Sequence, residues 1–193
     1  MVEAAAMVFK ERGYHATRLE DIAEALGMQK GSLYNYIDSK EALLLAVVTP
    51  PATQLLDSVA ALAESDLPAS EKVRLIARSH ARILEDYFPY VAVYVHEIAG
   101  QEHSEEWREM DRAYVRHLSA IIDDGRQTGL FDEATDPLIT AMALIGAMNW
   151  MTRWYVVGGK HSAEEIAERI ANTFLAGLLP RTRSAVPIQS DQG

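Results

Sequence analysis

Hydrophobic positions recur along this chain at intervals of three and four residues almost from end to end, the spacing of helices that bury one face. Alternation of period two never persists, and only Val91 to Val95 is locally strand-prone. The punctuation agrees. Residues 2–12 form a first helix stopped by Gly13. Thr17-Arg18-Leu19-Glu20 reads as a capping box opening a short helix that ends at Gly27. A third short helix covers about 29–36, and Ser39-Lys40-Glu41 caps a fourth whose apolar face runs from Leu43 to Val47.

Thr49-Pro50-Pro51 is the sharpest interruption. Proline lacks the amide donor and clashes with the preceding turn, so the fourth helix is expected to stop or kink there. This divides the chain into a small domain, 1–48, a larger one, 49–179, and a polar tail, 180–193, expected to be disordered. In the larger domain the pattern predicts helices near 51–64, 70–87, 90–99, 104–128, 137–157 and 163–178. Trp107, Met110, Tyr114, His117, Leu118 and Ile121 share one stripe of the fourth of these. Asp136-Pro137 opens the next, which is apolar nearly all round and so expected to be buried on most sides. Gly158-Gly159 ends it, Ser162 to Glu165 is a second capping box, and Ile166, Ile170, Phe174 and Leu178 form the inward stripe of the last helix. The fold class expected is all-α.

Composition narrows the chemistry. With no cysteine, disulfides, thiolate metal sites and a cysteine nucleophile are excluded. The N-terminus lacks the basic lead and unbroken apolar run of a secretory signal. The longest apolar stretch, Leu138 to Met151, falls short of the roughly 20 residues that span a bilayer. A soluble cytoplasmic protein with no membrane partner is expected. A net charge of −10 argues against nucleic acid, but screening confines each charge to about 8–10 Å and leaves room for a local patch.

Three short helices followed by a fourth, with a glycine turn between the second and third, form a helix-turn-helix pattern. Ile22, Ala23 and Leu26 would pack on Leu33, Tyr36 or Ile37, leaving Lys30, Gly31, Ser32, Tyr34 and Asn35 outward. Asn pairs with base edges, Ser meets base or phosphate, Lys neutralises phosphate, and Gly31 lets the backbone approach closely. The spacing alone matches many three-helix cores. The fuller string is more specific: Phe9 to Tyr14 (FKERGY), Thr17, Asp21 to Gly27 (DIAEALG), Lys30 to Tyr34 (KGSLY) and Ser39 to Leu43 (SKEAL). Over residues 2–48 it resembles the N-terminal domain of the TetR family of transcriptional regulators.

That resemblance implies a homodimer, a double-stranded operator read by two recognition helices, and a small-molecule pocket in each C-terminal domain whose occupation lowers operator affinity. It places DNA contacts at Thr17, Arg18, Lys30, Gly31, Ser32, Tyr34, Asn35, Tyr36 and Lys40. Gln29 stands where a small capping hydroxyl is usual, and Asn35-Tyr36 replaces a more usual His or Phe pair. The chain opens almost at the first helix, without the basic arm many members carry before it: either the arm is absent or this start is a truncation.

Farther along, Asn149-Trp150, Arg153-Trp154-Tyr155, Gly158-Gly159, Ser162 and Glu165-Ile166 resemble the branch of that family governing fatty-acid or sterol breakdown and answering to acyl-CoA thioesters. On that resemblance Trp150 and Trp154 form a pocket wall, and Arg78, Arg82 and Arg153 meet the phosphates of the ligand. The alternatives are an aromatic core or dimer seam for the tryptophans and a solvated face for each arginine. Ala143, Gly146, Ala147, Ala167 and Ala171 permit close helix approach, in a dimeric four-helix bundle or within one chain. Met142, Met148 and Met151 read as core filler or pocket lining. His96-Glu97 and His103 lack metal-ligand spacing, so neither metal nor cofactor is expected. No phosphate loop or nucleophile elbow suggests an enzyme. A helical scaffold binding only protein is the remaining rival, and it leaves the outward Lys30, Ser32 and Asn35 without a purpose.

Overall fold

A computed structural model of the chain describes residues 1–98 and 105–180, all helix and connection with no strand among them. The helices are α1 (Val2–Arg12), α2 (Leu19–Ala25), α3 (Lys30–Leu33), α4 (Lys40–Glu64), α5 (Ala69–Asp86), α6 (Phe88–Val93), α7 (Glu105–Gln127), α8 (Pro137–Asn149) and α9 (Ala163–Leu178). A π-helical turn, Tyr94–Ile98, extends α6, and a 3-10 turn, Trp150–Arg153, extends α8. The tail beyond Pro180 and His103 lie outside the described residues.

Side-chain caps set several starts where the sequence predicts them. Ser39 Oγ accepts from the Ala42 amide, Asp136 Oδ1 from that of Ile139, and Ser162 exchanges bonds with Glu165 in a full capping box. The start of α2 differs. Its N-cap is Arg18, whose amide donates to Asp21 Oδ2 at 2.8 Å, while Thr17 turns inward. Arg12 pairs with the other oxygen of Asp21 at 2.7 Å and ties the end of α1 to the start of α2. Gln29 makes no capping bond at α3, a helix of only four residues.

The largest departure is α4, which runs unbroken through Pro50 and Pro51. Two prolines remove two intrahelical donors, yet two cores grip this helix along its length. Leu43, Leu44, Val47 and Val48 belong to one, and Val59 to the other. By length and composition α4 is apolar enough to span a bilayer, and Leu43, Leu44, Val47, Val48, Pro51 and Val59 are buried within the fold. The first core is not confined to residues 1–48. It joins α1, α2, α3 and the first half of α4 to Val93 of α6 and Trp107 of α7, so no structural break lies at 48/49. Lys10 caps this contact by sitting 4.7 Å from the centre of the Phe88 ring.

The second core is a helical bundle of α5, α7, α8, α9 and the far half of α4. Helix α9 lies close along α5 because Ala163, Ala167 and Ala171 form its innermost line with Leu175 and Leu178. Ile166, Ile170 and Phe174 flank that line, half-buried. Ala167 and Ala171 therefore serve packing within the chain. Helix α8 is not buried on most sides: Leu138, Ile139 (66% exposed), Met142, Ala143, Gly146 and then Trp150 (63%) present an apolar face to the outside.

A candidate nucleic-acid interface and an internal cavity

Buried Ile22, Ala23 and Leu33 hold α2 against α3, with Leu26 and Ile37 half-buried beside them. Gly27 makes the turn in the left-handed region, φ +65°, which favours glycine. Tyr36 is not part of this packing; it is 67% exposed. Gly31, Tyr34, Asn35 and Tyr36 are exposed around α3, and Ser32 is half-buried. A Cβ at Gly31 would meet nothing within 4 Å and its φ is not positive, so the fold does not require glycine there. The exposed Gln29 adds an amide at the same end. Lys30 opens α3, its side chain outside the described residues.

Three predicted contacts are placed differently from one another. Arg18 is exposed at the start of α2. Thr17 is 2% exposed, and its hydroxyl donates to the Gly13 carbonyl at 2.8 Å, so it presents no group outward. Lys40 is half-buried; its Nζ donates to the carbonyls of Tyr14 and Thr17 at 2.8 and 3.0 Å, leaving one of three protons for a phosphate.

A cavity of about 360 Å³ lies where the two cores meet. Val48, Pro51, Ala52, Leu55 and Leu56 of α4 form one wall. His80 and Ile83 come from α5, Val91 and Tyr94 from α6 and its π turn. Helix α7 contributes Trp107, Met110, Asp111, Tyr114 and Val115, and α8 adds Met142, Ile145 and Asn149. The wall is mostly apolar. Tyr94 donates to Asp111 at 2.5 Å, and burial together with that carboxylate pushes the phenol well above its ordinary range. Burial alone raises Tyr114 likewise and lowers His80 to about 4.

None of Arg78, Arg82, Trp150, Arg153 and Trp154 lines this cavity. Arg78 faces Glu164 and Glu168 of α9 at 3.7 and 3.9 Å, and the other four are exposed. For Trp150 and Trp154 the cause is the end of α8 at Asn149. The tighter 3-10 turn that follows swings Trp150 and Trp154 outward, and Tyr155 inward to donate to Glu85 at 2.9 Å. Among the sequence-predicted candidates, Met142 does reach the cavity, while Met148 and Met151 are core. The residues missed were visible in part: Trp107, Met110 and Tyr114 lie on the predicted α7 stripe and line the cavity, Trp107 while also belonging to the first core. Among the described residues, no group of three acidic or histidine side chains is arranged to hold a metal.

Two family descriptions match. "Bacterial regulatory proteins, tetR family" covers residues 1–47, and "Tetracyclin repressor-like, C-terminal domain" covers 66–178. The HTH-type transcriptional repressor KstR2 of Rhodococcus jostii is 25% identical over 182 residues, 92% of this chain and 89% of that protein. The fatty acid metabolism regulator protein of Bacillus subtilis is 22% identical over 181 residues, 92% and 93% of the two chains. The structure of AibR in complex with isovaleryl coenzyme A and operator DNA superposes with a TM-score of 0.74 at 26% identity, covering 93% of this chain and 96% of that one. With its helix-turn-helix exposed and its C-terminal helices enclosing a cavity, the chain is a DNA-binding transcriptional regulator of the TetR family and not an enzyme.

Proposed function

We propose that the protein is a homodimeric repressor that binds a palindromic operator in the cytoplasm and releases it when the acyl group of a coenzyme A thioester occupies the cavity. One observation carries the reading: α4 begins beneath the helix-turn-helix at Lys40 and lines the cavity from eight residues on, at Val48 and then Pro51. A ligand in the cavity therefore touches the same helix that supports the DNA-reading head. Helix α6 gives a second route, since it lines the cavity at Val91 and joins the core of α1 at Val93.

The DNA contacts in this reading are Arg18, Gln29, Lys30, Gly31, Ser32, Tyr34, Asn35, Tyr36 and Lys40. Residues 1–48 hold five basic side chains against seven acidic ones, so few phosphates are neutralised. The salt dependence is modest accordingly, about −0.9 in log–log slope per contact. Two recognition helices about 34–36 Å apart fit successive major grooves, and the apolar outer face of α8 supplies a seam for the dimer that sets this distance. The cavity-lining residues replace the arginine and tryptophan set as the effector site. The lining has no lysine or arginine, which suits an uncharged acyl group inside with the nucleotide phosphates outside. The relatives' ligands point the same way: AibR was captured with isovaleryl coenzyme A.

Selection of bound duplexes from a random pool, with and without long-chain acyl-CoA, tests this. An enriched palindrome lost on adding thioester is expected. A palindrome indifferent to thioesters discards the effector class and keeps the regulator; no enrichment from a folded dimer discards the operator reading.

A further inference from the structure

The polar points on the cavity wall are few and not equivalent. Tyr94 is satisfied by Asp111 Oδ1, a carboxylate exposed at the rim that keeps further acceptor capacity. His80 is 4% exposed, its Nδ1 is wholly buried, and it has no hydrogen-bond partner. Tyr114, across the cavity on α7, forms no hydrogen bond among the described residues either. An imidazole withdrawn from water without a partner destabilises the fold, and a leucine or methionine would fill the space without that cost. Burial keeps the ring neutral, with one donor and one acceptor to offer.

Charge supplies a second, independent observation. The lining carries one carboxylate, Asp111, and no cation. A fatty carboxylate entering it would add a second negative charge with nothing to neutralise it. An uncharged group meets no such penalty.

We propose that the cavity takes an uncharged apolar group bearing a hydroxyl or keto oxygen, seated so that this oxygen pairs with His80, with Tyr114 and the Asn149 amide as further hydrogen-bonding groups on the wall. This rests on reading the cavity as the effector site and adds its chemistry: the buried part of the effector is an oxygenated chain or ring, not plain hydrocarbon.

Isothermal titration of the full chain with probes lacking coenzyme A isolates the cavity. The probes are methyl decanoate, methyl 10-hydroxydecanoate, methyl 3-(4-oxocyclohexyl)propanoate and sodium decanoate. At least one oxygenated ester should bind about tenfold more tightly than methyl decanoate, the worth of one buried hydrogen bond. Which of the two does so tells chain from ring. Decanoate should bind more weakly than its methyl ester. In His80→Leu the preference should vanish while methyl decanoate binds as well or better and the melting temperature rises, which separates lost recognition from lost folding. Tyr114→Phe should narrow the preference. Equal binding of plain and oxygenated esters, a preference that survives His80→Leu, or no binding of any ester overturns the inference. The thioester reading fails separately, when no acyl-CoA releases the operator.

Discussion

The Lys40 ammonium donates to the Tyr14 carbonyl at 2.8 Å and lies 4.3 Å from the centre of the same residue's ring. One side chain at the start of α4 thus holds the loop between α1 and α2, with the Thr17 carbonyl as its third partner. Arg18 follows Thr17 directly, so this tether helps to set its position.

Lys40→Ala should therefore do two things. It should lower stability by about 1–2 kcal/mol, the worth of charge-assisted bonds at a half-exposed site. It should also weaken binding to all duplexes alike and reduce the magnitude of the salt slope by about one per protomer, the signature of a lost phosphate contact. Chemical denaturation and titrations at several salt concentrations check both. A stability loss with an unchanged slope makes Lys40 a tether only.

Gly31 separates fold from function more cleanly. Alanine there meets open space and needs no unusual backbone angle, and in a helix it is favoured by up to about 1 kcal/mol. Gly31→Ala should fold as well or better and bind operator more weakly, because the methyl group stands between backbone and phosphate. The exposed Asn35, by contrast, should act on sequence: Asn35→Ala relaxes preference at particular base pairs by roughly 1–3 kcal/mol. Selection from a random pool reads both; intact preference in Asn35→Ala removes direct readout by this residue.

Much of this was legible in the sequence, because the signals were local. The caps at Ser39, Asp136 and Ser162 depend on residues three apart, and Ile22 and Ala23 meet Leu33 across a single short glycine turn. What failed was non-local. Pro50-Pro51 breaks a helix by every local rule, and only the two cores seizing Val47, Val48 and Val59 explain its survival. The cavity is built from five helices, and no spacing along the chain brings His80 to Tyr114. The resemblance that puts Trp150 and Trp154 on a pocket wall carries no information on the local helix type; the 3-10 turn from Trp150 to Arg153 changes the period and points them elsewhere.

His80 makes stability depend on pH. Its folded-state pKa, about 4, lies below the ordinary 6.5, so between those values the unfolded chain binds a proton that the folded one refuses. Stability is then full above pH 6.5 and falls as pH drops toward 4, by roughly 3 kcal/mol in all. His80→Leu should flatten this part of the profile. Denaturation midpoints from pH 7.5 to 4.5 for both proteins decide it; parallel curves would place the sensitivity elsewhere.

Pro51 is buried and lines the cavity, whereas Pro50 faces out. Two missing donors soften α4 at the height where a ligand presses on it. Replacing both with alanine should raise thermal stability and shrink the change in operator affinity that decanoyl-CoA produces, with the unliganded affinity little altered. Coupling of undiminished size would show that the signal travels through α6 and α1 instead.

The outer face of α8 carries the last prediction. Leu138, Ile139, Met142 and Trp150 stand exposed along one helix, and an exposed apolar face of this kind marks an interaction surface. Ala143 and Gly146 lie in the same face and let a second helix come close. Ile139→Asp buries a carboxylate in any seam formed there but touches no core residue of its own chain, so helicity by circular dichroism should persist. Sedimentation should shift from dimer to monomer, and operator binding should collapse, since a single half-site gives up the contacts of its twin. Should the variant remain a dimer with native affinity, the two copies meet elsewhere and α8 needs another partner.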